Sequence, residues 1–144
     1  MKIDPRLEKI DDSLYRVAVR ALIVHNNKVL LVREYDAGGW WAIPGGGIDY
    51  GETLSSSFTR EIEEELGVPA ELISSDFKII YHTIGKIVNG VPRMNVYFRA
   101  SILKEHIKKT EHVQQYEWFS KTQFLESNLN TSYDKIELAK VIFV

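Results

Sequence analysis

Between Gly45 and Val68, three consecutive glycines are followed by an acidic stretch that closes on a further glycine, Gly67. No other feature limits so strongly what this chain can fold into. Thr53 to Leu66 reads as a helix, with Gly67 where a left-handed C-terminal cap is expected. At about 100° per residue, Leu54, Phe58, Ile62 and Leu66 form one apolar stripe that can pack on a sheet. Glu61, Glu64 and Glu65 stand at i, i+3 and i+4, so their carboxylates gather along the edge of that stripe. Carboxylates so placed repel one another. A bound hard cation would offset the repulsion, and an all-oxygen ligand set suits Mg²⁺ or Mn²⁺. The plainer alternative is a solvated, salt-bridged helix face. The glycines upstream weigh against it, because they let main-chain groups approach a ligand or metal closely.

The surrounding sequence supplies the sheet. Tyr15 to Val24 reads as a strand, His25-Asn26-Asn27-Lys28 as a turn, and Val29 to Arg33 as the return strand. Gly38 to Gly47 reads as a loop, punctuated by glycines and a proline. Phe77–Val88 and Val91–Leu103 form two strands joined at Asn89-Gly90, a strong hairpin signal. Glu117-Trp118-Phe119 is a further short strand. The tail from Lys121 is ambiguous, with a closing helix over Tyr133–Val141. Strands before, between and after helices predict an α/β (α+β) layered fold with a mixed sheet. At 144 residues the whole chain, 1–144, reads as a single domain.

Composition narrows the chemistry. The absence of cysteine excludes disulfides, thiolate metal sites and a cysteine nucleophile. A net charge of −2 gives no general attraction to nucleic acid or to an anionic membrane. Met1 to Asp12 is charged and unlike a signal peptide, and no apolar run approaches the ~20 residues that span a bilayer. The expectation is a soluble cytoplasmic protein acting on a small molecule, with no nucleic-acid or membrane partner.

Spacing sharpens this reading. Gly46, five residues, Glu52, seven residues, Arg60-Glu61-Ile62, one residue, Glu64-Glu65, one residue, Gly67-Val68 resembles the complete Nudix box. Seven fixed identities and two apolar positions agree without a gap. At average usage, chance agreement is on the order of 10⁻⁹ or less per window. Trp41-Ala42-Ile43-Pro44 resembles the usual approach to the box, and the flanking strands fall where the family has strands. The resemblance covers roughly Tyr15 to Leu125.

The resemblance implies a Nudix-type α/β/α sandwich whose box forms a catalytic loop–helix–loop. It implies a Mg²⁺-dependent hydrolase, MutT-like, with Mn²⁺ as a substitute metal. Its reaction would be water attack at phosphorus, cleaving a phosphoanhydride bond in a nucleoside triphosphate or nucleoside diphosphate derivative. Glu64 and Glu65 become the principal metal ligands, and Glu61 either a further ligand or the base that deprotonates water. Three glutamates on one helical edge favour direct participation of Glu61 in the metal cluster. The Gly45 backbone carbonyl becomes an extra ligand, while Arg60 and Glu52 orient the glutamates. Gly46 and Gly47 would approach the substrate phosphates. Many members donate a further glutamate from a loop before the late Trp-containing strand. Here that position falls near His112, with Glu111 beside it as a candidate ligand or base.

Substrate recognition is less legible. Arg33, Tyr35, Trp40, Tyr81, Arg93 and Tyr97 are candidates for binding phosphate or stacking on a base, and equally for packing. The family marks for ADP-ribose and diadenosine polyphosphate hydrolases, a proline and a tyrosine beyond the box, meet Thr83-Ile84 and Gly85 instead. A nucleoside triphosphate is then the least constrained substrate, and a homodimer is left open. The competing function is a non-catalytic Nudix-fold nucleotide-binding or sensor module. The intact glutamate set favours the enzyme, because a sensor can lose those residues freely. A structural interaction protein with an acidic helix is disfavoured by the spacing.

Overall fold

A computed structural model describes residues 2–33, 38–130 and 134–144. Its centre is strand β1, Arg16–His25, in which Ala18 to Ile23 are all buried. A strand covered on both faces reads as an unbroken apolar run, and here only Arg20 interrupts it. β1 turns at Asn26 and Asn27, both in the left-handed region (φ 48° and 59°), into β2, Lys28–Arg33. Paired positive φ values match a two-residue hairpin turn to the twist of its strands. Asn89 and Gly90 (φ 52° and 80°) repeat the device between β5, Tyr81–Val88, and β6, Val91–Ala100.

β6 runs parallel to β1, in register from Arg16 opposite Arg93 to Ile23 opposite Ala100, and the other pairs are antiparallel. The other edge of β1 is shared. Val24 and His25 pair with β2, whereas Ala18 to Arg20 pair with β4, Gly45–Gly47. β3, Trp41–Ala42, joins β2, whose other edge takes β7, Gln115–Phe119. The stretch expected to be all loop, Gly38 to Gly47, therefore contains two short strands. Glycine has little intrinsic strand preference, and only the groove beside β1 makes β4 a strand.

Helix α1, Leu54–Leu66, begins at a reciprocal capping box between Thr53 and Ser56 and ends at Gly67 (φ 66°). Its Phe58, Ile62 and Leu66 are fully buried. The Phe58 ring meets Phe98 of β6 edge-on at 5.4 Å. Arg99, the next residue, points to the opposite face and donates to the Val141 carbonyl of α3, Lys135–Ile142. Helices thus cover both faces of the sheet. α2, Lys121–Glu126, lies in the tail whose sequence was ambiguous, and Phe124 packs against Phe143 at 5.8 Å. The strand expected from Phe77 starts only at Tyr81. Phe77 itself takes φ 52° and lays its ring on Phe58 and Phe98. α3 lies within the expected closing helix; Tyr133 and Tyr35 fall outside the described residues. Among those residues no helix is long and apolar enough to cross a membrane.

Phe58 is the keystone between α1 and the sheet. Phe58→Ala should destabilise the fold by about 3–5 kcal/mol, the usual cost of emptying a well-packed aromatic site. Chemical denaturation would measure it, and a loss below about 1 kcal/mol would mean that the helix is not held by this contact.

Candidate active site

β4 lies between β1 and α1, and that position explains the three glycines one by one. At Gly45 (φ 139°) a Cβ would overlap the Val19 carbonyl oxygen, so the backbone itself forbids a side chain. At Gly46 a Cβ would stand 2.5 Å from the Glu61 carboxylate. At Gly47 it would overlap the Arg16 guanidinium. The glycine requirement at Gly46, expected from an unusual backbone or from substrate phosphates, thus has a visible source in the neighbouring carboxylate. Its φ lies outside the left-handed region.

Arg60 organises the acidic edge. Its Nε and Nη2 donate to the two Glu52 carboxylate oxygens at 2.7 and 2.8 Å, a bidentate pair. Nη2 also donates to the Gly47 carbonyl at 3.1 Å. Nη1 donates to Glu61 Oε1 at 2.9 Å and to Glu64 Oε2 at 3.3 Å. One guanidinium therefore joins the loop glutamate, the glycine strand and two of the three helix glutamates. Glu52 Oε1 also accepts from the Asp49 N–H at 2.9 Å, which closes the turn before α1.

The charges respond accordingly. Hydrogen bonds from Arg60, and then from the Asp49 N–H, lower the Glu52 pKa to about 2. The Arg60 guanidinium is held more firmly protonated than usual, above all by Glu52. Glu61 moves the other way. Burial pushes its pKa up, and the opposing pull of Arg60 does not cancel the effect.

Glu65 is held by main chain. It is buried, at 4% exposure, and its Oε1 accepts the Gly45 N–H at 2.8 Å. The structure thus brings Glu61 and Glu64 together on Arg60 and turns Glu65 towards the glycine strand. Among the described residues no three carboxylate or histidine side chains converge as a ready metal cage. The residues still fit a hard divalent cation. All the side-chain donors are carboxylate oxygens, and Glu61 and Glu64 already converge on a positive charge, the Arg60 Nη1.

The remaining sequence candidates lie elsewhere. Glu111 is exposed, and its ion-pair partner is His112 at 3.7 Å. Its neighbour Thr110 is the residue that reaches α1, donating to the Glu64 carbonyl at 2.6 Å. Arg33 stacks on the Trp41 ring, 4.4 Å from its centroid. Tyr97 is buried in the core against Tyr81, Arg93 lies in β6 and Trp40 is exposed. Sequence reasoning overlooked Arg20 and Arg16. Arg20, only 7% exposed, donates to the Ile43 and Gly45 carbonyls, so the oxygen expected to serve a metal already faces a guanidinium. An arginine inside an apolar strand run was the available signal. Arg16 donates to the Ile48 carbonyl at 2.7 Å and lines a cavity of about 700 Å³ with Tyr15, Tyr50 and Glu52.

Two outcomes follow from this geometry. Gly46→Ala forces the Glu61 carboxylate aside while leaving an ordinary backbone. It should lower any activity at least tenfold and shift Tm by only a few degrees; an equal collapse of both would give the glycine a folding role alone. Glu52, with a folded pKa below its ordinary 4.5, contributes stability that is complete above about 4.5 and is lost as pH falls towards about 2. Carboxyl ¹³C NMR of Glu52 should give a midpoint near 2, and a midpoint near 4.5 would show that the Arg60 clamp does not hold in solution.

Comparison with known proteins agrees with this architecture. The family model of the NUDIX domain matches residues 14–139, beyond the span read from the sequence and into the tail. An RNA pyrophosphohydrolase of Orientia tsutsugamushi is 30% identical over 81 residues, which cover 55% of this chain and 50% of the relative. The chain thus spans about half the length of that relative. The nucleoside triphosphatase NudI of Escherichia coli is 28% identical over 131 residues, covering 83% of this chain and 92% of the relative. The crystal structure of a MutT protein from Methanosarcina mazei superposes with a TM-score of 0.74 at 22% identity, covering 90% of this chain and 96% of that one. With the box in place on this sheet and helix, the chain belongs to the Nudix family.

Proposed function

We propose that this protein is a divalent-metal-dependent pyrophosphohydrolase acting on a nucleoside triphosphate or a related nucleoside diphosphate derivative. The observation that carries this reading is the Arg60 network, which presents Glu61 and Glu64 together beside a glycine strand. Such an array exceeds what a solvated helix face needs. The nearly full-length match to a nucleoside triphosphatase supports the substrate class. The cavity bounded by Glu52, Tyr15 and Tyr50 has a volume in the range that small ligands occupy.

Glu61, Glu64 and Glu65 are the residues that would hold the cation. When bound, Mg²⁺ neutralises phosphate charge and lowers the pKa of a coordinated water. The chain's own contribution is positioning and electrostatics, which supply most of the rate in phosphoryl transfer. Arg60 keeps Glu61 and Glu64 oriented, and its tie to Glu52 fixes Arg60 in turn. β4 leaves the Glu61 carboxylate room to face the reacting water. Water oxygen forms the new bond to phosphorus, the bridging P–O bond breaks, and the phosphate leaving group departs. The proton lost by water passes to a carboxylate, for which Glu61 is the candidate.

The test is product release from a panel of nucleoside triphosphates, ADP-ribose, dinucleoside polyphosphates, nucleotide sugars and a 5′-triphosphorylated RNA oligonucleotide. Turnover of nucleoside triphosphates should need Mg²⁺ or Mn²⁺ and vanish in EDTA. Glu64→Gln and Glu65→Gln should each lower kcat by orders of magnitude with the fold intact. Turnover in excess EDTA, or a panel without any substrate, would sink the proposal. Glu61→Gln assayed across a Mg²⁺ titration separates its two roles. Depressed kcat at saturating metal with unchanged metal affinity assigns the base; weakened affinity with partial rescue assigns the ligand.

A further inference from the structure

Arg20 is charged, sits in the middle of the central strand and is 7% exposed. A buried guanidinium is costly unless its donors are used. Here Nε donates to Asn95 Oδ1 at 3.3 Å, and Nη1 donates to the Ile43 carbonyl at 3.1 Å and the Gly45 carbonyl at 3.2 Å. Asn95, 1% exposed on β6, is held in turn by donating to Thr83 Oγ1 of β5 at 3.4 Å. The other end of the Gly45 residue meets the opposite charge, since its N–H donates to the buried Glu65 carboxylate at 2.8 Å. Gly45 thus stands between two buried charges, a cation at its carbonyl and an anion at its N–H. Each hydrogen bond fixes the strand that the other uses. Only glycine permits this, because a Cβ would overlap the Val19 backbone.

We infer that Arg20 is a positioning residue of the active site, which orients Glu65 by way of Gly45 without touching substrate. The path runs from Thr83 and Asn95 through Arg20 and Gly45 to the C-terminal half of α1. It joins the far strands of the sheet to Glu65, the box glutamate buried against the glycine strand. This inference rests on the hydrolase reading only in taking Glu65 as a metal-holding group.

The experiment is Mn²⁺ binding to the metal-free protein, followed by electron paramagnetic resonance without substrate, alongside melting curves and kcat. Arg20→Met should keep a cooperative melt, weaken Mn²⁺ affinity about tenfold or more, and lower kcat. Arg20→Lys, which keeps the charge but loses the fork, should recover part of both. Asn95→Leu, which frees Arg20 without discharging it, should weaken Mn²⁺ in the same direction but less. A folded Arg20→Met with unchanged Mn²⁺ affinity and kcat overturns the inference, as does a lowered Tm with affinity untouched. If Arg20→Met fails to fold, Arg20→Lys and Asn95→Leu decide: wild-type Mn²⁺ affinity in both overturns it. Absence of Mn²⁺ binding by the wild type overturns it too. If Mn²⁺ binding depends on Arg20 while no panel nucleotide is hydrolysed, the substrate reading fails and the positioning role stands.

Discussion

Backbone forbids a side chain at Gly45, and at Gly46 and Gly47 one would have to displace the Glu61 carboxylate or the Arg16 guanidinium; the site is built around that close approach. Strand β4 is pressed on one side against the β1 backbone and on the other against a glutamate of α1. Close approach of this kind gives up side-chain packing along three residues. In return, the strand's own N–H and C=O groups become the material of the site. The Gly45 N–H fixes Glu65, the Gly45 carbonyl engages Arg20, and the Gly47 carbonyl accepts from Arg60. The helix follows the strand, since Phe58, Ile62 and Leu66 can reach the sheet only when α1 lies directly over it.

The second constraint is electrostatic. The box crowds carboxylates on one helical edge, and the fold handles them in two ways. Glu52, Glu61 and Glu64 share one guanidinium, whose bidentate grip on Glu52 makes it a rigid centre and not a mobile counter-ion. Glu65 instead meets main chain, with Oε1 accepting the Gly45 N–H. Burial raises the proton affinity of Glu61 even with Arg60 beside it. A carboxylate whose burial outweighs its ion pair costs stability and is characteristic of functional sites, where fixed charge serves chemistry instead of folding.

The division of β1 between two partners creates the working edge of the sheet. β2 pairs with its last residues and β4 with its first half, so the chain between them must leave one and return to the other. That detour brings Trp41 onto β2 and then carries the glycines back along β1. Short strands formed in this way owe their existence to a neighbour with open hydrogen-bonding groups, not to their own composition.

Local physics explains why much of this was legible in the chain. The 3.6-residue stripe of α1, its Gly67 stop, and the Asn26-Asn27 and Asn89-Gly90 turns each depend on residues close in sequence. The resemblance to the box likewise marks Glu52, Arg60, Glu61, Glu64 and Glu65, and the helix fixes where the last four stand. What the sequence by itself determined is therefore the family, the sheet-and-helix layering and the identity of the charged set. Tertiary structure alone decided that β4 is a strand, that Glu65 accepts the Gly45 N–H, and that Arg20 donates to the Gly45 carbonyl. Those outcomes depend on contacts between segments twenty or more residues apart, Arg20 with Gly45 and Gly45 with Glu65. No periodicity records such a contact, since it is set by strand register and by the space a missing side chain leaves.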